Sequence, residues 1–343
     1  MRPATRSRPH QGRRWSLHSA VTLGVLLLFA LGAAAPAWGA GAKDPQKVIF
    51  DPYATPSWVR TFHGPGASHD AAEDVAMAKG GVTYVAGTIG DGFGSRASLM
   101  KMVDGVPSWA APKTYVGPNG GANTAEKMAL GPGNTIYTAG VSTGSNGMPD
   151  ILVIKWSSSG AVKWAKRYDG PSHGADRSTA IVVDSRGNVT IGGYSANSSG
   201  ADWVVVSWSS SGAKRWTSRY SASALHEIVP LGLVVAGDRS VYASGVSAVT
   251  GSVAAMTVKY SRSGKKLWKK TYKGPAGLGA LTFAAVARPG GGVYVCGMAI
   301  SATTSSDGLV MSYTSKGTRR VFALDTGPGG TSEQSLRDLA VTS

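Results

Sequence analysis

Histidine beside a carboxylate is the pairing in this chain most able to do chemistry. Four of the six histidines lie beyond residue 42: His63, His69, His173 and His226. Three of them have an acid close by, as His69-Asp70, His173 with Asp176, and His226-Glu227. Such pairs suit two tasks, gripping a metal or polar ligand and acting as a general acid and base. The same residue types also occur in polar loops simply to satisfy strand-end amides. That plainer role is the expectation, so no catalytic residue, metal ligand or cofactor is assigned. His69, Asp70, His173, Asp176, His226 and Glu227 stand as candidates for a ligand face. The sequence contains no G-x-S-x-G, no H-E-x-x-H, no Cys/His cluster and no EF-hand pattern. "GDGFGS" (90–95) has a G-x-G but no helix pattern after it, and reads as a loop. The one cysteine, Cys296, sits in the apolar run "GVYVCGM" and reads as buried filler.

What must position these residues is a repeat. Tryptophans recur at Trp58, Trp109, Trp164, Trp216 and Trp268, spaced by 51, 55, 52 and 52, and Phe322 follows after 54 more. Glycines closing short apolar runs recur at Gly87, Gly140, Gly193, Gly245 and Gly297, spaced by 53, 53, 52 and 52. A third marker, "DILVIKWSSSG", returns as "DWVVVSWSSSG". Each unit holds four short runs rich in Val, Ile, Thr, Tyr and Trp, bounded by Gly, Asn, Ser, Asp or Pro. In the third unit these are "STAIVVD" (A), "NVTIGGYS" (B), "DWVVVSWSS" (C) and "KRWTSRY" (D). "DSRGN" and "SSSG" are tight turns between them. Apart from the first 42 residues no segment has a helical period. Four antiparallel strands repeated about every 52 residues predict an all-β β-propeller of four-stranded blades. The repeated tryptophans should dock each blade on its neighbour.

Residues 73–325 supply five complete A-to-D sets. "KVIFDPYATPSWVRTF" (47–62) aligns with strands C and D, and "SLRDLAVTS" (335–343) with strand A. Joining the two ends predicts a sixth blade closed by the N-terminal strands, lacking its B strand, within one domain spanning 43–343. All four histidines fall in D-to-A connections, which share one face of a propeller. His173/Asp176 and His226/Glu227 come from adjacent blades.

At these residues the chain resembles the bacterial SBBP-type β-propeller repeat family. "DRSTAIVVDSRGNVTIGGYS" (176–195) carries the likeness at Asp176, Ile181, Val183, Asp184, Gly187, Asn188 and Gly193, and "DILVIKWSSSGAVKW" (150–164) carries the second half. The likeness covers residues 45–343 and implies architecture, since the family is defined by its blades. Asp150, Asp202 and Asp307 match its pattern, whereas Arg96 and Ala254 depart from it. "SGKKLW" (263–268) is similar to the glycine-to-tryptophan element of quinoprotein dehydrogenase blades. The acidic ligands and adjacent cysteine pair of such enzymes have no counterpart here.

Charge is uneven. Residues 160–275 hold 16 Lys and Arg against 6 Asp and Glu. Many sit in D strands and their turns: Lys163, Lys166, Arg167, Lys214, Arg215, Arg219, Lys265, Lys266, Lys269 and Lys270. On an outermost strand they would form a basic rim that blunts exposed edges. The same rim could attract an anionic cell-envelope polymer. At the N-terminus five arginines precede an apolar run (20–35) and a small-residue stretch, the pattern of an export signal over residues 1–42. That segment holds five of the 35 basic residues and none of the 19 acids, leaving the rest at +11. Taken together these features predict an exported, soluble, monomeric binding or scaffold module. Its partner would be a protein or an anionic envelope polymer rather than nucleic acid. A polysaccharide lyase or hydrolase is the alternative.

Overall fold

The computed structural model describes residues 69–92, 94–221, 226–303, 305–325 and 334–340. Within them the chain forms five successive antiparallel units that follow the repeat, the third and fourth joined into one eight-stranded sheet. Blade 1 comprises β1 (Ala71–Met77), β2 (Val82–Gly90), β3 (Ser95–Val103) and an outer strand split into β4 (Val106–Pro107) and β5 (Lys113–Tyr115). Pro107 and Pro112 fall at that break, where each removes an amide donor. Blade 2 comprises β6 (Lys127–Gly131), β7 (Thr135–Thr143), β8 (Pro149–Trp156) and β9 (Val162–Tyr168). Blade 3 comprises β10 (Asp176–Val183), β11 (Val189–Asn197), β12 (Gly200–Trp208) and β13 (Lys214–Tyr220). Blade 4 comprises β14 (His226–Val235), β15 (Val241–Val249), β16 (Ser252–Tyr260) and β17 (Lys266–Tyr272). Blade 5 comprises β18 (Ala280–Ala287), β19 (Val293–Ser301), β20 (Ser305–Tyr313) and β21 (Arg319–Asp325). Each blade is a meander in A-B-C-D order, and the fold is a β-propeller.

Apolar residues of strands B and C fill the spaces between sheets. Ile136, Leu152, Ile154 and Trp156 pack with Tyr84, Ala86 and Leu99. Tyr137, Ile151 and Val153 pack with Val189, Ile191 and Val204. Blades 2, 3 and 4 thus bury a face on each of two neighbours, which no single blade can do alone.

Four of the five repeated glycines share one cause. Strand A carries a β-bulge in blades 1, 3, 4 and 5, for example between Ser178 and Ala180 and between Thr282 and Ala284. The carbonyl beside it presses on strand B. A Cβ at Gly193 would lie 2.1 Å from the Arg177 oxygen, and one at Gly245 or Gly297 would lie 2.1 or 2.0 Å from the Val229 or Leu281 oxygen.

The repeated tryptophans are equally regular. A Cβ at Gly212, in the C–D turn of blade 3, would lie 3.1 Å from the Trp164 ring of blade 2. Gly160 stands in the same way over Trp109, Gly264 over Trp216 and Gly317 over Trp268. Those turn glycines also have left-handed φ, between 81° and 87°.

Residues 334–340 form no strand, but Leu336 N donates to Gly297 O (3.0 Å) and Gln334 N to Ser306 O (3.0 Å). They lie along blade 5 where a following A strand would start. The N-terminal strands assigned to a sixth blade, with Trp58 and His63, fall outside the described residues, as does the export signal.

Candidate functional site

Two polar regions stand at opposite ends of the strands. The first is the end carrying the D–A and B–C connections. Gly200 opens β12 with φ 136°, and a Cβ there would lie 1.7 Å from the His226 carbonyl. This close approach lets β14 begin as a parallel neighbour of β12, Gly200 against His226 and Ala201 against Glu227. His226 is thereby set beside Asp202 rather than paired with Glu227, because adjacent strand residues point to opposite faces. The His226 Nε2 to Asp202 Oδ1 distance is 2.7 Å. Arg219 Nη2 donates to Asp202 Oδ2 at 2.5 Å, while its Nη1 donates to Tyr168 Oη (3.1 Å) and Ser195 Oγ (3.0 Å).

The side chains of His226 and Asp202 are only 1 % and 2 % exposed, so a large substrate cannot reach them. Burial works to raise the Asp202 pKa, but hydrogen bonds from His226 and Arg219 outweigh it and hold the carboxyl below its usual range. Burial pushes the Glu227 carboxyl and the Tyr168 phenol up. Arg219 therefore ties blades 2 and 3 from within and does not belong to the outer rim.

One blade earlier, Asp176 is fully buried, and its Oδ2 accepts the Gly170 amide (2.5 Å) of the D–A loop. Asn123 does the same for Gly117 (3.0 Å) in blade 2. His173 is exposed and pairs with Asp169 (Nδ1 to Oδ2, 2.7 Å), not with Asp176; the Asp169 contact raises its pKa. His69 is exposed at the entry to blade 1, and Asp70 Oδ1 accepts the Gly90 amide (3.0 Å). His173 and His226 are thus held in separate local contacts.

The second region is at the A–B and C–D turns, where blades 3 and 4 meet around a cleft of about 540 Å³. Arg186, Arg215, Arg239 and Arg262 line it with Asn188 and Trp216. Among the described residues none of the four arginines makes an ion pair. The one carboxylate lining it, Asp184, is occupied: its oxygens accept the Arg186 and Asn188 amides (2.9 Å each) and the Asn188 side chain (2.8 Å). Arg239 holds a left-handed φ of 60°, where the equivalent turn of blade 3 has Gly187.

This junction departs from the repeat. Between blades 2 and 3, Lys155 Nζ (2.7 Å) and Trp164 Nε1 (3.1 Å) both donate to the Ser210 carbonyl. Between blades 4 and 5, Lys259 and Trp268 donate likewise to Ser315 O. Blade 3 has Ser207 in the lysine position, and Arg215 takes over, bonding Ser207 Oγ (3.1 Å) and Arg262 O (2.9 Å). The Trp216 indole N–H is left buried without a partner. Sequence reading placed Arg215 on the rim and missed Arg186, Arg239 and Arg262. The serine that breaks the Lys155/Lys259 pattern was the available signal.

Of the predicted rim, Lys163, Lys166, Lys214, Lys265, Lys266, Lys269 and Lys270 are exposed. Some also cover a neighbouring blade: Lys269 Nζ donates to Tyr220 Oη (2.7 Å) and lies 4.0 Å above its ring. Arg167 donates to Thr143 O (3.0 Å).

No family model and no curated protein matches the chain. Solved structures with a related fold include a protein from Lactobacillus plantarum (14% identity, 74% of this chain and 70% of that one, TM-score 0.49). They also include a polysaccharide lyase, the ulvan lyase of family PL25 (13%, 75% and 71%, 0.43). A third is an α-L-arabinofuranosidase from Clostridium thermocellum (12%, 73% and 92%, 0.37).

Proposed function

We propose that this chain is an exported binding module that grips an anionic polymer of the cell envelope in the arginine cleft between blades 3 and 4. The observation that carries the reading is four guanidinium groups around one cavity whose lining holds a single carboxylate, Asp184, turned onto its own loop. Like charges gathered at a junction repel one another, so the arrangement gains stability from an anion that sits among them. Guanidinium forks fit carboxylate, sulfate and phosphate groups alike. The Trp216 N–H adds a neutral donor. The lysine rim draws such a polymer in by its longer-range field.

Calorimetric titration with polygalacturonate and with inorganic polyphosphate, at 50 mM and 500 mM salt, tests this and separates carboxylate from phosphate ligands. Replacing Arg186 and Arg262 by alanine should weaken binding roughly tenfold or more, since each hydrogen bond to a charged group contributes about 1.5–3 kcal/mol. Replacing Lys266 and Lys270 should change it far less. Equal losses in the two double variants would sink the cleft as the site and leave only diffuse attraction.

Cleavage of the bound polymer is the second reading. It rests on the one place among the described residues where imidazole, carboxylate, guanidinium and phenol meet: His226, Asp202, Arg219 and Tyr168. Their burial favours an inter-blade tie over turnover. Prolonged incubation with polygalacturonate that yields no shorter chains removes this reading.

A further inference from the structure

Asp150 at the start of β8, Asp169 just after β9 and Asp176 at the start of β10 converge at the D–A end of blades 2 and 3, away from the arginine cleft. Each offers an oxygen within 4.8 Å of the others. Asp150 is 5 % exposed and Asp176 0 %, yet Oδ1 of each is buried with no hydrogen-bond partner. Asp176 spends Oδ2 on the Gly170 amide. The nearest cation to Asp150 is Arg167 at 3.8 Å from Oδ2, and that guanidinium donates its hydrogen bond to Thr143 O instead. Leaving buried carboxylate oxygens unpaired is costly unless a proton or a metal neutralises them.

We propose that these three carboxylates form a divalent cation site, and that the ion is Ca²⁺. Ligand type selects it. All three donors are hard oxygens, and the nearby imidazole, His173 Nδ1, is spent on Asp169. Ca²⁺ takes carboxylate oxygens at about 2.3–2.6 Å in a flexible geometry, which three oxygens within 4.8 Å of one another can meet. Mg²⁺ demands near-ideal octahedral geometry at about 2.0–2.1 Å and is seldom held by an all-protein carboxylate set. Exposed Asp169 is the entry ligand; Asp150 and Asp176 are the fixed ones. Burial raises the pKa of both acids, and this outweighs the pull of Arg167 on Asp150 and of the Ser195 hydroxyl, the Gly170 amide and Arg219 on Asp176. The site would staple the end of blade 2 to the start of blade 3.

Thermal unfolding of the full protein in EDTA, CaCl₂ and MgCl₂ tests the proposal. With Ca²⁺ a hundredfold above its dissociation constant, Tm should rise by about 5 °C or more, and EDTA should reverse the rise. Asp169→Asn, at an exposed position, should fold as the wild type does in EDTA and lose the Ca²⁺ response. Asp150→Asn should match or exceed wild-type stability in EDTA, because it removes a buried charge, and should also lose the response. No Ca²⁺-dependent rise in the wild type, or an undiminished rise in Asp169→Asn, overturns the site.

Discussion

At Gly193 the limit on side-chain size is a single atom, the carbonyl oxygen of Arg177, 2.1 Å from where a Cβ would be. Gly193→Ala must push β10 off β11 and should cost about 2–3 kcal/mol in denaturant unfolding. Gly237 has nothing within 4 Å of its Cβ direction and no left-handed φ, so Gly237→Ala should be neutral or slightly stabilising. A second residue-scale test concerns Asp202, whose folded pKa lies below its unfolded one. Such a carboxylate contributes stability above its unfolded pKa, and loses that contribution as pH falls through the folded value. Asp202→Asn leaves His226 and Arg219 without their acceptor charge and should cost about 3–5 kcal/mol at pH 7. The gap in Tm between wild type and variant should narrow as pH falls below about 4. A gap that holds constant to pH 3 would show that the carboxylate charge is not what matters.

Between elements, the recurrent joint is a C–D turn carbonyl held by the preceding blade. Trp164 donates to Ser210 O, whereas Trp216 has no acceptor. Replacing each by phenylalanine removes the same ring area, so the difference between the two isolates one hydrogen bond. Trp164→Phe should be about 1 kcal/mol more damaging than Trp216→Phe in chemical denaturation. Equal effects would remove the bond's role in docking. Strand order, turns and the tryptophan series were legible in sequence because they recur with one period. The glycines were seen as a marker, but their cause was not, since the Arg177 carbonyl that excludes a Cβ belongs to a bulge with no sequence signature. His226 was read against neighbouring Glu227 although its partner is Asp202, 24 residues away. Adjacency in sequence misleads wherever a strand alternates its faces. The arginine cleft was hidden for a different reason: it arises where one blade breaks the rule, and a search for repetition averages such exceptions away.

For the molecule as a whole, residues 334–340 matter more than their lack of strand structure suggests. Leu336 bonds the backbone of blade 5, and its carbonyl accepts from Cys296 Sγ at 3.3 Å. Burial pushes the Cys296 thiol up to about 11. The native protein should therefore resist a thiol reagent at pH 8 until it unfolds. Deleting residues 334–343 should expose Cys296 and make its modification fast under native conditions, as followed by mass spectrometry. Unchanged protection would mean that this segment covers nothing.

Because Trp109, Trp164, Trp216 and Trp268 each rest under a glycine of the blade that follows, the emission of each reports on its neighbour as well as on its own sheet. Trp164 is a gauge for blade 3 and Trp268 for blade 5. Trp216, with its unmet N–H at the edge of the arginine cleft, is the one whose colour should change when that cleft is filled.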